Sequence, residues 1–269
     1  MGSGNSCFNC FTDKNPQNNS VPQLETPYAF APMPSEVKDS KFDSKESKPE
    51  KPEQSEHFSK AEVTQMISSC EEKFLKEIQT SPLENGYENV LDKAGFEVYC
   101  KDLPEGFIML SKWKVPYDGK ELLEFMKRSD IRKAWDKNIE EARKICDVSQ
   151  DISVYYQLFK KMLMTAQRDM LVVTKLSKTN QGWLDVSTSI DSSLLPACDN
   201  VVRARLAIGG YFMQPMTKDS EGNITQVFSL SEAYFGGNFP KSMIKKMSVT
   251  MVPKFAKSMI EGFEKFSNK

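Results

Sequence analysis

The part of the sequence after Gly95 constrains the fold most, because seven short runs rich in β-branched and aromatic residues precede one long helical pattern. Turn-forming residues separate the runs, which is typical of antiparallel strands. The predicted strands are Phe96 to Tyr99, Phe107 to Val115, Ser153 to Phe159, Asp169 to Leu176, Gly182 to Ile190, Val201 to Phe212 and Thr225 to Phe235. One helix is predicted early, from Gly119 to Arg128, and another from Pro240 to Phe266. This order predicts an α+β fold in which a long C-terminal helix closes a sheet.

The predicted C-terminal helix carries an apolar stripe rich in methionine. The stripe consists of Met243, Met247, Met251, Phe255, Met259, Phe263 and Phe266. Because methionine side chains adapt to the shape of a ligand, Met247, Met251 and Phe255 are candidate ligand contacts, while ordinary core packing is the alternative. Pro253 lacks a backbone N–H and therefore predicts a kink near Val249.

The composition of the chain changes along its length and predicts four segments. Residues 1–14 form a candidate acylation segment, and residues 15–58, mostly Pro, Ser, Asn, Gln, Lys and Glu, predict a disordered linker. Residues 59–80 predict an amphipathic helix behind a Ser59 N-cap, with Glu62 at the capping-box position. This helix either offers a surface to a protein partner or packs beside its own domain. Residues 81–269 are the predicted globular domain.

The first six residues match the N-myristoylation pattern, with Gly2 as the acceptor and Ser6 at the favoured hydroxyl position. One myristoyl chain binds a membrane only marginally, with a constant of about 10⁴ M⁻¹, so stable attachment needs a second signal. Palmitoylation of Cys7 and Cys10 would supply it. A metal or redox pair is the alternative, but no second Cys/His pair completes a zinc site. We expect a lipid-anchored protein at the cytoplasmic face of a membrane.

Composition and charge argue against several function classes. The net charge is −1, from 36 basic and 37 acidic residues, so we expect no nucleic-acid partner. Seven lysines follow Pro240, and this face either contacts anionic headgroups at a membrane surface or is simply solvated. The single histidine, His57, lies in the predicted linker, which disfavours histidine chemistry and most metal sites. We expect no enzyme activity, cofactor or metal, although chemistry based on carboxylates, tyrosine or lysine stays open.

Four motifs in the domain occur in the order found in the START (steroidogenic-acute-regulatory-protein-related lipid transfer) family. They are Arg132 with Trp135-Asp136, Arg168-Asp169, Val201-Val202-Arg203-Ala204 leading to Gly209 through Pro215, and Gly236 through Ile244 before the last helix. The ordered set resembles a START domain from about Ser81 to Lys269. This resemblance implies a helix-grip fold, a curved antiparallel sheet around the C-terminal helix that encloses a tunnel for one lipid. It also implies either lipid transfer between membranes or lipid sensing for a protein partner.

The resemblance suggests roles for charged residues near the tunnel. Arg132 matches the position that contacts the lipid phosphate in phosphatidylcholine-transfer relatives, or it pairs with Asp136. Arg168 and Asp169 are interpreted as a structural ion pair. The aromatic positions that surround choline in those relatives hold Gln157, Met170, Val172 and Ala207. The choline box is therefore missing.

Further polar candidates come from strand alternation. The charged pair of sterol-binding relatives falls here on Tyr155 and Thr174, so that pair is absent. Tyr155 and Gln157 share one face of their predicted strand, and Arg203 and Arg205 share one face of theirs. If these faces line the tunnel, Gln157 would fix a polar head and the arginines would bind a phosphate. If they face outward, they are surface residues.

Overall fold

The computed structural model describes residues 59–161, 166–191, 195, 200–216, 224–236 and 240–267. The predicted acylation sites Gly2, Cys7 and Cys10 and the predicted linker lie outside these described residues. Within these described residues there are four helices, α1 (Lys60–Gln79), α2 (Gly119–Met126), α3 (Ser129–Trp135) and α4 (Lys241–Phe266). The same part of the chain contains ten strands, β1 (Glu88–Lys93), β2 (Phe96–Leu103), β3 (Gly106–Val115), β4 (Ile139–Asp147), β5 (Ile152–Phe159), β6 (Gln167–Lys178), β7 (Trp183–Ser189), β8 (Val201–Arg203), β9 (Arg205–Pro215) and β10 (Thr225–Tyr234).

The strands form one sheet in the order β1-β2-β3-β10-β9-β7-β6-β5-β4, with every neighbouring pair on this path antiparallel. The short strand β8 pairs with β6 in parallel. The predicted α+β class, with an antiparallel sheet and a long C-terminal helix, is confirmed. A sheet this wide curls because twist accumulates from strand to strand.

One predicted strand is divided in the structure, and the predicted helix from Gly119 to Arg128 is two residues shorter than expected. The predicted strand from Val201 to Phe212 is interrupted at Ala204, which separates β8 from β9. The predicted helix from Gly119 ends at Met126, and α3 begins three residues later at Ser129. Asp118 caps the start of α2, because its Oδ1 accepts the backbone N–H groups of Lys120 and Glu121.

Two strands absent from the sequence prediction, β1 and β4, form the two edges of the sheet. β1 reads ENVLDK and β4 reads IEEARKICD, so both are rich in charge. Charged residues on an edge strand discourage pairing with another chain, and they also remove the apolar alternation by which strands are recognised.

Helix α1 covers one face of the sheet. It begins as predicted, since the Ser59 hydroxyl accepts the backbone N–H of Glu62 at 3.4 Å. Its apolar side chains, exemplified by the fully buried Phe74, belong to a core cluster with alternate strand residues such as Leu184 and Val186. The apolar face of the helix is therefore covered by its own domain, the second of the two predicted alternatives.

Helices α2, α3 and α4 lie against the opposite face. A separate core cluster joins them to the sheet and includes Trp113, Trp135, Met259 and Phe263. α4 continues through Pro253 to Phe266. Among the described helices, none combines the length and the apolar character needed to cross a membrane.

Candidate functional site

A cavity of about 650 Å³ lies between helices α3 and α4 and the face of the sheet opposite α1. At ~30 Å³ per water molecule it would hold about 20 waters. Apolar side chains supply much of its wall: Met109, Met170, Val172, Leu206, Met247, Met251, Val252 and Phe255. A space of this size with a mostly apolar wall is typical of a small-molecule site.

One end of the cavity is closed by packed core. The cross-strand register aligns Trp183, Met213, Val227 and Trp113 in one row over β7, β9, β10 and β3. Trp113, Met213 and Val227 are buried in the core cluster formed with α2 and the second half of α4, and Trp183 packs against it. This row therefore forms the floor of the cavity at that end.

The next row toward the cavity is polar, and we call it the deep row. It consists of Asp185, Tyr211, Ser229 and Ser111, which are cross-strand partners in that order. Burial raises the pKa of the Tyr211 phenol to about 12, so this group is a neutral hydroxyl at physiological pH. The Ser111 hydroxyl is buried and has no hydrogen-bond partner among the described residues. Three members of the deep row, Asp185, Tyr211 and Ser229, line the cavity, so they place hydrogen-bonding groups at the closed end of an apolar cavity.

Arg132 lies on the wall of the cavity and is held by Asp136. The Oδ2 of Asp136 is 3.0 Å from Nε and 2.8 Å from Nη2 of Arg132, and Nη1 donates to the carbonyl of Met126 at 3.0 Å. The guanidinium carbon is also 4.4 Å from the ring centre of Trp135. The ion pair between Arg132 and Asp136, which was the predicted alternative to a phosphate contact, is therefore present.

A second ion pair joins Lys127 to Asp185 of the deep row, and the sequence prediction missed both of its members. The Nζ of Lys127 is 3.5 Å from Oδ1 of Asp185, and the Thr174 hydroxyl donates to the same oxygen at 2.8 Å. Burial raises the pKa of the Asp185 carboxyl, whereas Lys127 acts to lower it. A sequence signal existed, because Asp185 shares a strand face with Trp183 in the predicted strand from Gly182 to Ile190.

The predicted ligand contacts on β5 and α4 all line the cavity. They are Tyr155, Gln157, Met247, Met251 and Phe255. Phe255 stacks on Tyr211 with ring centres 6.0 Å apart and planes 15° apart. Burial raises the pKa of Tyr155. The Gln157 amide has no hydrogen-bond partner among the described side chains and main chain, so it is available to a ligand.

The structure does not bring Arg203 and Arg205 to the cavity. Arg203 forms a two-bond pair with Asp169, with Nε–Oδ1 and Nη2–Oδ2 distances of 2.7 and 3.0 Å. Arg205 is exposed, and its guanidinium carbon lies 5.6 Å from the ring centre of Tyr234. The interruption at Ala204 explains the difference, because the two arginines belong to separate strands instead of one.

The interpretation of Arg168 and Asp169 as an ion pair is wrong. Asp169 pairs with Arg203, while Arg168 donates to the carbonyls of Phe235 and Gly236 at 3.3 Å each. Neighbouring residues on a strand point to opposite faces, so these two side chains reach different partners. Arg168, unlike Arg203, lines the cavity.

Comparison with known proteins places this arrangement in a family. A START domain sequence model matches residues 89–269. The human ceramide transfer protein is 22% identical over 188 residues, which cover 62% of this chain and 30% of that protein. The ceramide transfer protein of Xenopus laevis is 25% identical over 191 residues, covering 62% of this chain and 30% of that protein. This chain therefore spans about three tenths of the length of these relatives.

Two solved structures share the fold. Human StAR-related lipid transfer protein 5 superposes with a TM-score of 0.70 at 17% identity, covering 78% of this chain and 100% of that one. Human STARD10 superposes with a TM-score of 0.65 at 18% identity, covering 73% of this chain and 79% of that one. The predicted helix-grip fold is confirmed.

Proposed function

This chain belongs to the START domain family, and from that premise we propose that it binds one lipid molecule in the cavity between its sheet and α4. The observation that carries this proposal is the form of the cavity, which has an apolar wall and a closed end. Burying apolar surface is favourable by about 25 cal/mol per Å², so lipid tails would gain most from this wall.

The lipid is proposed to enter with its head toward the deep row. Met247, Met251 and Phe255 would contact its apolar part from α4, and Tyr155 would contact a polar group from β5. Gln157 would contact a polar group away from the head, because its partner Met170 lies six residues along β6 from Leu176, the partner of Asp185. Buried polar groups need partners, and the deep row with the Gln157 amide supplies donors and acceptors at an otherwise apolar site. The charge of Arg132 is already balanced by Asp136. We therefore propose that Arg132 forms part of the cavity wall and does not bind a lipid phosphate.

We further propose that the protein transfers this lipid between membranes, in line with the names of its ceramide-transfer relatives. Acylation at Gly2, Cys7 and Cys10 would hold the N-terminus at the cytoplasmic face of a membrane. A flexible linker of ~44 residues would span about 35 to 40 Å, at roughly 5 to 6 Å times the square root of its length. The lysine-rich surface of α4 would contact anionic headgroups during exchange.

Lipid binding is tested by native mass spectrometry of the full chain after incubation with mixed-lipid vesicles. One lipid per chain is expected. Ser231→Phe, which adds a ring to the cavity wall, should abolish binding, whereas Ser231→Ala at the same position should retain it. An empty wild-type chain, or equal binding by both variants, would contradict the proposal. A bound lipid that changes mass with time would indicate an enzyme instead.

Transfer is tested separately, with donor and acceptor vesicles and the same full chain. Movement of lipid at a rate proportional to protein concentration supports a carrier, and tight binding without movement supports a sensor.

The anchor is tested by expression in eukaryotic cells and membrane fractionation. Gly2→Ala, or Cys7→Ser with Cys10→Ser, should release the protein into the soluble fraction, while Gly4→Ala, a glycine change outside the acceptor position, should not. Membrane retention of the Gly2→Ala variant would contradict the anchor.

A further inference from the structure

We propose that Asp185, held between Thr174 and Lys127, selects lipids whose head carries a hydrogen-bond donor and no phosphate. This inference rests on the proposed function, because it assumes one lipid bound with its head at the deep row. It assigns a specificity role to two residues, Asp185 and Lys127, that no sequence motif indicated.

One oxygen of the Asp185 carboxylate has no partner within the described part of the chain. Both of its closest partners, the Thr174 hydroxyl at 2.8 Å and the Lys127 ammonium at 3.5 Å, approach Oδ1. Its Oδ2 accepts no hydrogen bond from the described residues, and 14% of the side chain is accessible through the cavity that it lines. A buried carboxylate oxygen needs donors. A hydroxyl or amide N–H of a ligand would complete this set.

The charged side chains at the closed end form two balanced pairs. Lys127 is paired with Asp185, and Arg132 is paired with Asp136. These four charges sum to zero, so no cation among them is left to neutralise a phosphate. A phosphate at the deep row would lie close to the Asp185 carboxylate, and like charges repel strongly in a poorly solvated site. An uncharged donor avoids that repulsion.

Two further cations of the cavity wall, Arg168 and Lys160, lie far from Asp185 along the sheet. Arg168 is the cross-strand partner of Phe159, and Lys160 follows directly. Asp185 pairs with Leu176, which is eight residues along β6 from Arg168. At ~3.3 Å per residue this separation is about 26 Å along the strand. Cations at the far end therefore cannot neutralise a head that is bound at the deep row.

The test uses two matched lipid pairs and the full chain. One pair is C6-NBD-ceramide and C6-NBD-sphingomyelin, and the other is dioctanoylglycerol and dioctanoylphosphatidylcholine, measured by competition with the fluorescent ceramide. Within each pair the backbone and chains are the same, and only the second lipid carries phosphocholine. We expect the wild-type chain to bind the member without phosphate at least tenfold more tightly in both pairs.

Two variants should shift this preference in opposite directions. Asp185→Asn leaves the Lys127 charge unbalanced and should move the affinity ratio at least tenfold toward the phosphate lipids. Lys127→Met leaves the Asp185 charge unbalanced and should move the ratio further against them. Asp92→Asn makes the same chemical change as the first variant at an exposed site outside the cavity and should leave the ratio unchanged.

The outcomes separate this inference from the proposed function. Wild-type chain that binds both members of each pair equally, or prefers the phosphate lipids, overturns the selection and leaves lipid binding intact. Absence of binding to all four lipids overturns both. If Asp185→Asn does not fold, an unchanged ratio in folded Lys127→Met overturns the role of the pair.

Discussion

The ion pair between Arg132 and Asp136 predicts a large stability loss for Asp136→Asn. Asp136 is only 3% exposed, and its Oδ2 contacts two guanidinium nitrogens at 2.8 and 3.0 Å. Asparagine keeps the shape but removes the charge, which leaves the arginine uncompensated. Breaking a buried ion pair typically costs about 3 to 5 kcal/mol. Because 14% of the Arg132 side chain faces the cavity, we expect the low end, about 3 kcal/mol, or a melting temperature lower by roughly 6 to 12 °C.

Urea unfolding of the full chain measures this loss, with an unchanged m-value showing that the same structure unfolds. Glu140→Gln is the control, because its ion pair with Lys133 is exposed and should leave the midpoint almost unchanged. The double variant Arg132→Met with Asp136→Leu should recover most of the lost stability, since no charge is then left unpaired. A loss below about 1 kcal/mol for Asp136→Asn would refute the reasoning.

Three further outcomes follow from contacts elsewhere in the domain. Phe74→Ala removes a fully buried ring between α1 and the sheet, and chemical unfolding should show a loss of about 3 to 5 kcal/mol. Gly262→Ala would place a Cβ 2.5 Å from the Cβ of Trp135, so the cost of overpacking should outweigh a helix-propensity gain of about 1 kcal/mol and lower the melting temperature. The hydrogen bond from Tyr117 to Glu264 raises the Tyr117 pKa to about 12. Its stabilising effect is therefore present below the ordinary pKa of 10.0 and lost as pH approaches 12, and tyrosine-labelled NMR should show this pKa falling in Glu264→Gln.

Most of the fold could be predicted because hydrophobic periodicity reports burial directly. The central strands and α4 bury one or both faces, so their patterns were recognisable within a few residues of the observed bounds. The edge strand β4 carries Glu141, Arg143 and Lys144, whose exposure hides the period of two. The separation of β8 from β9 at Ala204 depends on pairing with β6, which is a long-range contact that local sequence does not encode.

The candidate site could be predicted only where one element decides the direction of a side chain. Tyr155 and Gln157 follow from strand alternation, and Met251 follows from the helical period. Lys127 and Asp185 could not be paired in this way, since a helix end and a strand meet only through the tertiary fold.

The register of β7 decides which of its side chains face α1 and which face the cavity. Leu184 and Val186 point to the α1 side and are fully buried there, while Asp185 between them points into the cavity. A slip of one residue would expose both aliphatic side chains to the cavity and drive Asp185 into the core beneath α1. The apolar contacts that α1 makes through Phe74 therefore oppose that slip. These contacts stabilise the domain. They also fix the position of the Asp185 carboxylate, which we propose selects the lipid head group.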